Sequence, residues 1–329
     1  MTVVLDVAGG QGGGHGRWRR ELDAYLAGRP GAVRVLGRDR RLTVRWLVER
    51  ERRAARADVV IASNNASFAV AGGQRRVLSR NALHFLHPSE EHLLRRMPRA
   101  WRSQVPVVRR LLSRADLVVA SSSAMAERVV HHLPQLRSRV VVRLEPVTPN
   151  GTRVAGAEPY ILVPVAPGPY KNLVPQLRDL VTVADRVGHP ATIRVTAYPA
   201  HLPPELRAAP RIRPLGALSH EQLVEHWCGA SAVFFPGLVE SFGYPMAEAR
   251  AYGLPVLAPD TGQSREVAGP ALRGYRIGDL DSLAEALAAA DEPVAPDVTP
   301  FDRTDYFDWL FATGTPRLGE RTAPAGAVS

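Results

Sequence analysis

The feature that most constrains the fold is a repeated alternation of short apolar runs with longer polar stretches of helical character. Apolar runs of a few residues occur at 3–7, 58–62 and 140–144, and arginine-rich stretches lie between them. One of these stretches predicts a single basic helix over about residues 99–114. Short strands that alternate with helices form βαβ units, whose strands pair in a parallel sheet. The pattern restarts at residues 160–165, after a segment rich in proline and glycine. The sequence therefore predicts an α/β fold with two parallel-sheet domains.

The chain length and the position of that segment predict the domain boundaries. A chain of 329 residues is long enough for two ordinary domains with separate cores. Proline and glycine between residues 146 and 156 mark the linker. We expect an N-terminal domain over residues 1–150, a C-terminal domain over 151–292, and a final segment over 293–329. The final segment is predicted to contain a helix near residues 306–311 and a disordered tail from residue 316.

The positive charge of the chain is confined to its first half. Residues 1–150 carry 27 arginines and 12 carboxylates, a net charge of +15, whereas residues 151–329 have a net charge of −5. This asymmetry predicts an anionic partner for the first domain, such as a membrane surface, a phosphorylated acceptor or nucleic acid. Alternatively, the arginines lie on solvated helix faces and have no anionic partner. Nucleic acid is disfavoured, because aromatic residues that could stack on bases are not interleaved with the arginines.

The hydrophobic pattern predicts no membrane-spanning segment. No apolar run is long enough to cross a bilayer, and the first eight residues are typical of a strand rather than of a signal peptide. A cytoplasmic location, with peripheral contact to a membrane through the basic domain, is therefore expected. The single cysteine, Cys228, excludes an intramolecular disulfide and a cysteine-cluster metal site.

A glycine-rich stretch follows the first predicted strand. Residues 8–16 contain six glycines, and the helical pattern begins at Arg17. A strand, a glycine loop and a helix N-terminus together let the backbone approach a phosphate closely. The G-x-G-x-x-G spacing of dinucleotide-binding proteins is absent, which disfavours a nicotinamide cofactor. A phosphate-binding loop and a glycine loop without a ligand are both compatible with this stretch.

The second half contains a helix start that is flanked by two carboxylates. An apolar strand leads into a loop around Phe242 and Gly243, and a helix is predicted over residues 245–252. The N-terminus of such a helix attracts anions. Glu240 precedes the loop and Glu248 lies on the helix, although ordinary salt bridges would also explain this pair.

Lys171 is the only lysine among 42 basic residues. A chain that uses arginine everywhere else and keeps one ammonium group can need a compact point charge at that position, because lysine and arginine are not interchangeable at a phosphate or a sugar. Chance alone could also leave one lysine in the chain. The residue is therefore a candidate anion ligand.

At these positions the chain resembles the GT4-type retaining glycosyltransferases. The resemblance extends over about residues 3–290 and is strongest over residues 211–269. The matching motifs are Gly13-Gly14-His15-Gly16-Arg17-Trp18, Lys171-Asn172, Leu215-Gly216, Phe235-Pro236-Gly237-Leu238-Val239-Glu240-Ser241-Phe242-Gly243-Tyr244-Pro245, Glu248-Ala249, Gly253-Leu254-Pro255-Val256 and Arg265-Glu266-Val267. The resemblance implies the GT-B architecture, in which two Rossmann-like domains with parallel sheets face a cleft.

The resemblance also implies a role for each matching residue. Glu248 would accept hydrogen bonds from the ribose of a nucleotide sugar, and Glu240 would lie beside the transferred sugar. Three neighbouring positions, Phe242, Gly243 and Tyr244, would contact the donor. Lys171 would hold the diphosphate, and Gly13 and Gly14 would close over it from the other domain. Because positive charge and N–H donors would stabilise the leaving diphosphate, no metal ion and no cofactor beyond the donor substrate is expected.

The sequence departs from the family pattern at two positions. Relatives often have an arginine five residues before the lysine, but this chain has Ala166 there. The diphosphate would then depend more on Lys171 or on another arginine, for which Arg265 is a candidate. The His-Asp pair of many relatives aligns with His84-Phe85, which keeps the imidazole and loses the carboxylate.

His84 is accordingly the predicted catalytic histidine, and His87 is the second choice. A hydrogen-bonded packing role is the structural alternative for both, although the segment that carries them follows a strand of the predicted sheet, where ligands bind in open α/β folds.

The resemblance implies a glycosyltransferase that moves a sugar from a nucleoside-diphosphate donor to an acceptor with retention of the anomeric configuration. The acceptor would be a small molecule, a glycan or a lipid-linked group held by the first domain. Two alternatives remain open. One is a nucleotide-sugar epimerase of the same architecture, and the other is a non-catalytic scaffold, which Ala166 and Phe85 favour.

Overall fold

The computed structural model describes residues 1–10, 12–154, 158–165, 168 and 170–313. The chain forms two units. The N-terminal unit consists of Met1–Val147, Glu240–Phe242 and the chain from Thr299, and the C-terminal unit consists of Thr148–Val239 and Gly243–Val298. The division falls within the stretch that the sequence marks as a linker. Gly156 of that stretch, Ala166 and the tail from residue 316 lie outside the described residues.

The N-terminal unit is built on one parallel sheet. Its strands are β1 Val3–Asp6, β2 Arg34–Leu36, β3 Val59–Ala62, β4 Gln74–Ser79, β5 Leu117–Ala120 and β6 Val140–Val142. The order across the sheet is β2-β1-β3-β4-β5-β6. Strands β1, β3 and β5 are buried at every residue, as expected for parallel strands covered on both faces. The helices between the strands are α1 Gly13–Ala27, α2 Val44–Ala54, α3 Glu91–Arg95, α4 Arg99–Arg102, α5 Gln104–Leu112 and α6 Ser123–His132.

The C-terminal unit repeats this plan with a different strand order. Its strands are β7 Tyr160–Val163, β8 Thr192–Val195, β9 Ile212–Pro214, β10 Ala232–Phe234, β11 Val256–Pro259 and β12 Leu272–Tyr275. They are parallel and lie in the order β12-β11-β10-β7-β8-β9. The helices are α7 Leu173–Arg186, α8 Pro204–Ala208, α9 His220–Gly229, α10 Tyr244–Tyr252, α11 Gly262–Ala268 and α12 Leu280–Ala289. Within the described ranges, no helix has the length and apolar character needed to cross a membrane.

The last helix, α13 Arg303–Phe311, completes the N-terminal unit. Its Phe307 packs between Trp18 and Tyr25 of α1, with ring centroids 5.5 and 5.1 Å away. The Tyr25 hydroxyl donates to Asp308 at 2.5 Å. Arg76 of β4 donates to the backbone carbonyls that end the helix, including that of Leu310 at 2.6 Å. The helix predicted near residues 306–311 is thus confirmed, and it packs against α1.

Two local predictions were wrong. Helix α1 begins at Gly13 and not at Arg17, so that Gly13 and Gly14 lie in its first turn. Gly13 has a φ of +60°, a backbone conformation that glycine adopts without steric cost. The single helix expected over residues 99–114 is divided into α4 and α5. Pro106 lies in the first turn of α5, where it lacks the N–H that would continue the hydrogen bonds of α4.

Candidate functional site

In the C-terminal unit the strand order reverses between β7 and β10. The chain proceeds from β7 outward to β9 on one side, and then from β10 outward to β12 on the other. Loops that leave two such neighbouring strands diverge and leave a crevice at the carboxyl ends of the strands, where α/β proteins bind ligands. Lys171 follows β7, and the loop before α10 follows β10. The structure therefore brings these two predicted elements to the same edge of one sheet.

The loop after β10 ends at the N-terminus of α10. Gly243 is the residue before the helix and has φ and ψ of 90° and 57°, and Pro245 occupies the first turn. The left-handed backbone at Gly243 favours glycine, and proline is preorganised for a first helical turn. The helix dipole places roughly half a positive charge at this end. Tyr244 is buried, whereas Glu248, one turn further along, is half-buried.

Lys171 lies between β7 and α7. Its backbone N–H donates to the carbonyl of Gly168 at 3.0 Å, and its ammonium nitrogen lies 5.0 Å from the centre of the Tyr170 ring. Asn172 follows with a φ of +51° and precedes the first turn of α7. Arg265, the candidate replacement for an arginine at position 166, is exposed and forms an ion pair with Asp260 at 2.8 Å.

In the N-terminal unit the strand order reverses between β1 and β3. The glycine loop leaves β1 at this point and leads into α1. Nε2 of His15 lies 3.2 Å from the carbonyl oxygen of Val7, and the side-chain amide of Asn64, in the loop after β3, donates to the carbonyl of Ala8 at 2.9 Å. The start of the glycine loop, which leads to Gly13 and Gly14 in the first turn of α1, is therefore held by side chains from α1 and from the loop after β3.

Arg80, which follows β4, connects the elements around this loop. Its guanidinium donates to both carboxylate oxygens of Glu145 at 2.7 Å, to the carbonyl of Gly14 at 3.0 Å and to Nδ1 of His15 at 3.3 Å. It also lies 5.1 Å from the centre of the Trp18 ring. Burial, together with the charge of Arg80, lowers the pKa of His15 to about 4, so this histidine is neutral at pH 7.

Sequence reasoning missed both Arg80 and Glu145. Each is a charged residue that follows a strand of a parallel sheet, which is the position at which His84 was noticed. Their separation of 65 residues leaves no local signal that they form a pair. The side chains of Arg80 and Glu145 are only 8% and 2% exposed. Removing one partner of a buried ion pair of this kind is strongly destabilising.

His84 lies in a short 3₁₀ segment, Ala82–Phe85, and is 7% exposed. Its Nδ1 lies 3.0 Å from the side-chain nitrogen of Asn65, and its ring stacks on Trp101 with centroids 4.9 Å apart. Burial, and to a smaller extent the charge of Arg109, lowers the pKa of His84 to about 4. The neighbouring Phe85 is a core residue with no exposed surface.

His87, the second choice, is half-buried and has a structural role. It precedes the 3₁₀ segment Pro88–Glu90, and its backbone N–H donates to the Glu90 carboxylate at 3.0 Å. Its ring lies 5.4 Å from that of His131. This arrangement is a capping interaction that holds the start of the segment.

The segment Glu240–Phe242 also belongs to the N-terminal unit, although it was expected in the second domain. The hydroxyls of Ser121 and Ser122 donate to the Ser241 carbonyl at 2.9 and 2.7 Å, and the Ser241 hydroxyl donates to the carbonyl of Arg80 at 2.8 Å. Phe242 is buried and its ring lies 6.1 Å from that of Phe301. Glu240, the residue before Ser241, is half-buried.

The predicted site residues therefore form two groups. Lys171, Gly243, Tyr244 and Glu248 lie at the strand-order reversal of the C-terminal sheet. Gly13, Gly14, His84, Glu240 and Phe242 lie around the carboxyl edge of the N-terminal sheet, where Arg80 contacts the first helix and Ser241.

The chain is similar to known glycosyltransferases. Residues 169–290 match the family model described as glycosyl transferases group 1. A D-inositol 3-phosphate glycosyltransferase of Mycolicibacterium smegmatis is 32% identical over an alignment of 202 residues that covers 58% of this chain and 42% of that relative. The match thus spans less than half of the relative's length. These findings confirm the resemblance to glycosyltransferases that the sequence motifs predicted.

Solved structures share the fold. WaaG, a glycosyltransferase involved in lipopolysaccharide biosynthesis, has a TM-score of 0.62 and 14% identity, over 88% of this chain and 90% of its own. The Anabaena protein HepE in complex with UDP and glucose has a TM-score of 0.61 and 14% identity, over 95% and 96% of the two chains. At this identity the likeness concerns the fold alone. It confirms the predicted α/β fold with two Rossmann-like units of the GT-B type.

Proposed function

We propose that this chain, whose C-terminal part matches the glycosyl transferases group 1 model, is a glycosyltransferase that uses a nucleoside-diphosphate sugar. The observation that carries the proposal is the position of Lys171 and the N-terminus of α10 at one strand-order reversal. Both lie within the residues that the family model matches. A cation and a helix N-terminus at such a crevice are suited to a diphosphate. The HepE structure with UDP and glucose supports this class of donor.

The reaction follows from the charges that these residues supply. As the bond between the sugar and the diphosphate breaks, negative charge grows on the phosphate oxygens. Lys171 and the α10 N-terminus would stabilise that charge, with the amides of Gly13 and Gly14 as further donors. Positive charge from these groups makes transfer independent of a metal ion in this proposal. Glu248 would bind the ribose hydroxyls, and Glu240 would bind the transferred sugar.

We assign retention of the anomeric configuration to this reaction. In same-face attack, the acceptor oxygen bonds to the anomeric carbon as the bond to phosphate breaks, and the acceptor proton passes to the leaving phosphate oxygen. This route requires preorganised donors around the diphosphate and no protein nucleophile. It is consistent with the family resemblance and with the placement of Lys171 and a helix N-terminus at one strand-order reversal of the C-terminal sheet.

The acceptor is assigned to the N-terminal unit, and the class remains a small molecule, a glycan or a lipid-linked group. Helix α2 presents Val44 and Val48, which are 78% and 50% exposed, next to the exposed arginines Arg45 and Arg52. Apolar side chains among arginines on one helix face suit the surface of an anionic membrane. We therefore propose a cytoplasmic protein that contacts a membrane peripherally.

A thermal-shift screen with UDP, GDP, dTDP and ADP sugars would identify the donor, because a ligand that binds only the folded protein raises its apparent stability. With the donor that gives the largest shift, calorimetry should detect no binding to Glu248→Ala. Glu285→Ala removes an exposed helical carboxylate of the same unit and should bind as the wild type does.

Unchanged donor affinity in Glu248→Ala would contradict the assignment of the donor site. Product analysis without an acceptor separates the proposed transferase from an epimerase, since an epimerase would convert the nucleotide sugar by itself. A scaffold protein would give neither transfer nor hydrolysis of any donor.

A further inference from the structure

The side chain of Asn65 has only one orientation that satisfies its neighbours. It is 1% exposed, and its backbone has a φ of +58°. Oδ1 accepts from the backbone N–H of Arg80 at 2.6 Å, and Nδ2 donates to the carbonyl of Asn81 at 3.2 Å. A flipped amide would place its NH₂ group against an N–H and its oxygen against a carbonyl. Because the backbone groups cannot exchange roles, the amide orientation is fixed.

This orientation determines the tautomer of His84. The Nδ2 group that binds Asn81 also faces Nδ1 of His84 at 3.0 Å. Since the amide nitrogen is a donor, Nδ1 must accept, and the proton of a neutral imidazole then resides on Nε2. Nε2 is buried and has no hydrogen-bond partner in the part of the chain that the structure describes.

The groups around His84 do not favour an imidazolium. Arg109 of α5 donates to the carbonyl of His84 at 2.8 Å and brings a positive charge near the ring. His132 of α6 lies next to that guanidinium at 3.3 Å, and Trp101 covers one face of the imidazole. Among the described residues, the hydrogen-bond partners of His84 include no carboxylate.

We propose that Asn65 is a positioning residue that holds His84 as the neutral Nε2–H tautomer, so that His84 serves as a hydrogen-bond donor to a ligand oxygen and not as a base. The functional part of this inference rests on the proposed function, in which that oxygen belongs to a sugar hydroxyl or a phosphate of the substrates. Phe85, which follows the histidine, is buried and supplies no hydrogen-bonding side chain, so the amide of Asn65 is the group that orients the imidazole. The acceptor proton would pass to the leaving phosphate, and His84 would keep its own.

The tautomer is measured directly by nitrogen-15 NMR of the full chain labelled at histidine. Long-range proton–nitrogen correlations distinguish the two neutral tautomers from the charged ring, and the His84 signals are identified by their loss in His84→Gln. We expect the Nε2–H pattern at pH 7 and still at pH 5, in agreement with the lowered pKa of this group. An Nδ1–H or doubly protonated ring at pH 7 in the wild type would overturn the assignment without the need for any variant.

A matched pair of variants tests the role of Asn65. In Asn65→Asp a carboxylate replaces the donor opposite Nδ1, so Nδ1 should become protonated. Asn64→Asp makes the same change one residue earlier, where the amide binds the carbonyl of Ala8 at 2.9 Å and does not contact His84, so the His84 tautomer should remain that of the wild type. Identical His84 signals in folded Asn65→Asp and wild type would refute the positioning role.

Transfer assays separate this inference from the proposed function. If His84 donates a hydrogen bond, Asn65→Asp should lower the transfer rate about tenfold or more. If His84 instead acted as a base, the new carboxylate would make it a stronger base. An unchanged or faster transfer rate would therefore overturn the donor role. Failure of every nucleotide sugar to bind the wild type would refute the proposed function and leave the NMR result on Asn65 intact. Donor binding together with an Nδ1–H tautomer would refute the inference alone.

Discussion

The strand-order reversals of the two sheets are equivalent places in the topology, but they are built from different parts of the chain. In the C-terminal unit the edge is formed by backbone features and one lysine, namely the left-handed Gly243, the first turn of α10 and Lys171. In the N-terminal unit the glycine loop is held by side chains that come from other loops, above all Arg80 with Glu145 and Asn64. The first edge is encoded locally, and the second is encoded by contacts between distant residues.

This difference has a physical consequence for the response of the two edges to substitution. A helix N-terminus keeps its N–H groups and its dipole when most side chains are exchanged. A buried arginine that binds a carboxylate, a carbonyl and an imidazole cannot be replaced in this way, because its removal affects all of its partners together. Single side-chain substitutions should therefore disturb the N-terminal edge more than the C-terminal edge.

The largest effect is expected for Arg80→Ala. The substitution removes the guanidinium from the Glu145 carboxylate, which is 2% exposed, and breaking a buried pair in this way costs about 3–5 kcal/mol. Denaturant unfolding should measure the loss of stability, and hydrogen exchange should show that this loss is located in the N-terminal unit. Arg276→Ala, which breaks an exposed pair with Asp279, is the control and should cause no measurable change. Equal stability of Arg80→Ala and the wild type would remove the distinction between the two edges.

Acid should weaken the N-terminal unit next. The folded-state pKa values of His15 and His84 are lowered to about 4, so between about pH 6.5 and pH 4 the unfolded chain binds more protons at these residues. The contribution of these two histidines to the free energy of unfolding is therefore fully present above pH 6.5. It decreases as the pH falls, by on the order of 1–3 kcal/mol for each histidine.

Thermal unfolding between pH 7.5 and pH 5 measures this dependence. His15→Gln should show a flatter pH dependence than the wild type, because the variant has one fewer group that takes up a proton on unfolding. His201→Gln replaces an exposed histidine and should retain the wild-type slope. A slope that is the same in all three proteins would contradict the assignment of the acid sensitivity to the buried rings.

The same difference explains which features could be predicted from the sequence. The α/β fold and the helix after Gly243 depend on patterns among neighbouring residues, and the structure confirms them. The N-caps of α6 by Ser122 and of α9 by Ser219 are likewise formed by residues within one helical turn. The start of α1, the Arg80–Glu145 pair and the packing position of α13 depend on tertiary contacts. For example, Trp18 of α1 donates a hydrogen bond to Tyr306 of α13, which is 288 residues away in the chain. The periodicity of one segment carries no information about such partners. The roles of the individual site residues remain predictions.

The smallest effects are expected for two glycines with positive φ. A Cβ at Gly243 would lie 2.5 Å from the terminal methyl group of Met246, with a φ of +90°, whereas a Cβ at Gly13, with a φ of +60°, would have no atom within 4 Å. An alanine in this left-handed backbone conformation costs about 1–2 kcal/mol by itself. Gly243→Ala must in addition displace the Met246 side chain. Gly28→Ala, at a glycine with negative φ and open surroundings, controls for the added methyl group.

Donor calorimetry and thermal unfolding of these three variants test the backbone origin of the C-terminal edge. If the position of the α10 N-terminus determines donor affinity, Gly243→Ala should weaken donor binding more than Gly13→Ala at a temperature at which both variants remain folded. The reverse order would mean that the glycine loop of the N-terminal unit provides most of the affinity. The side-chain network of Arg80 that holds this loop would then be the principal determinant of donor binding.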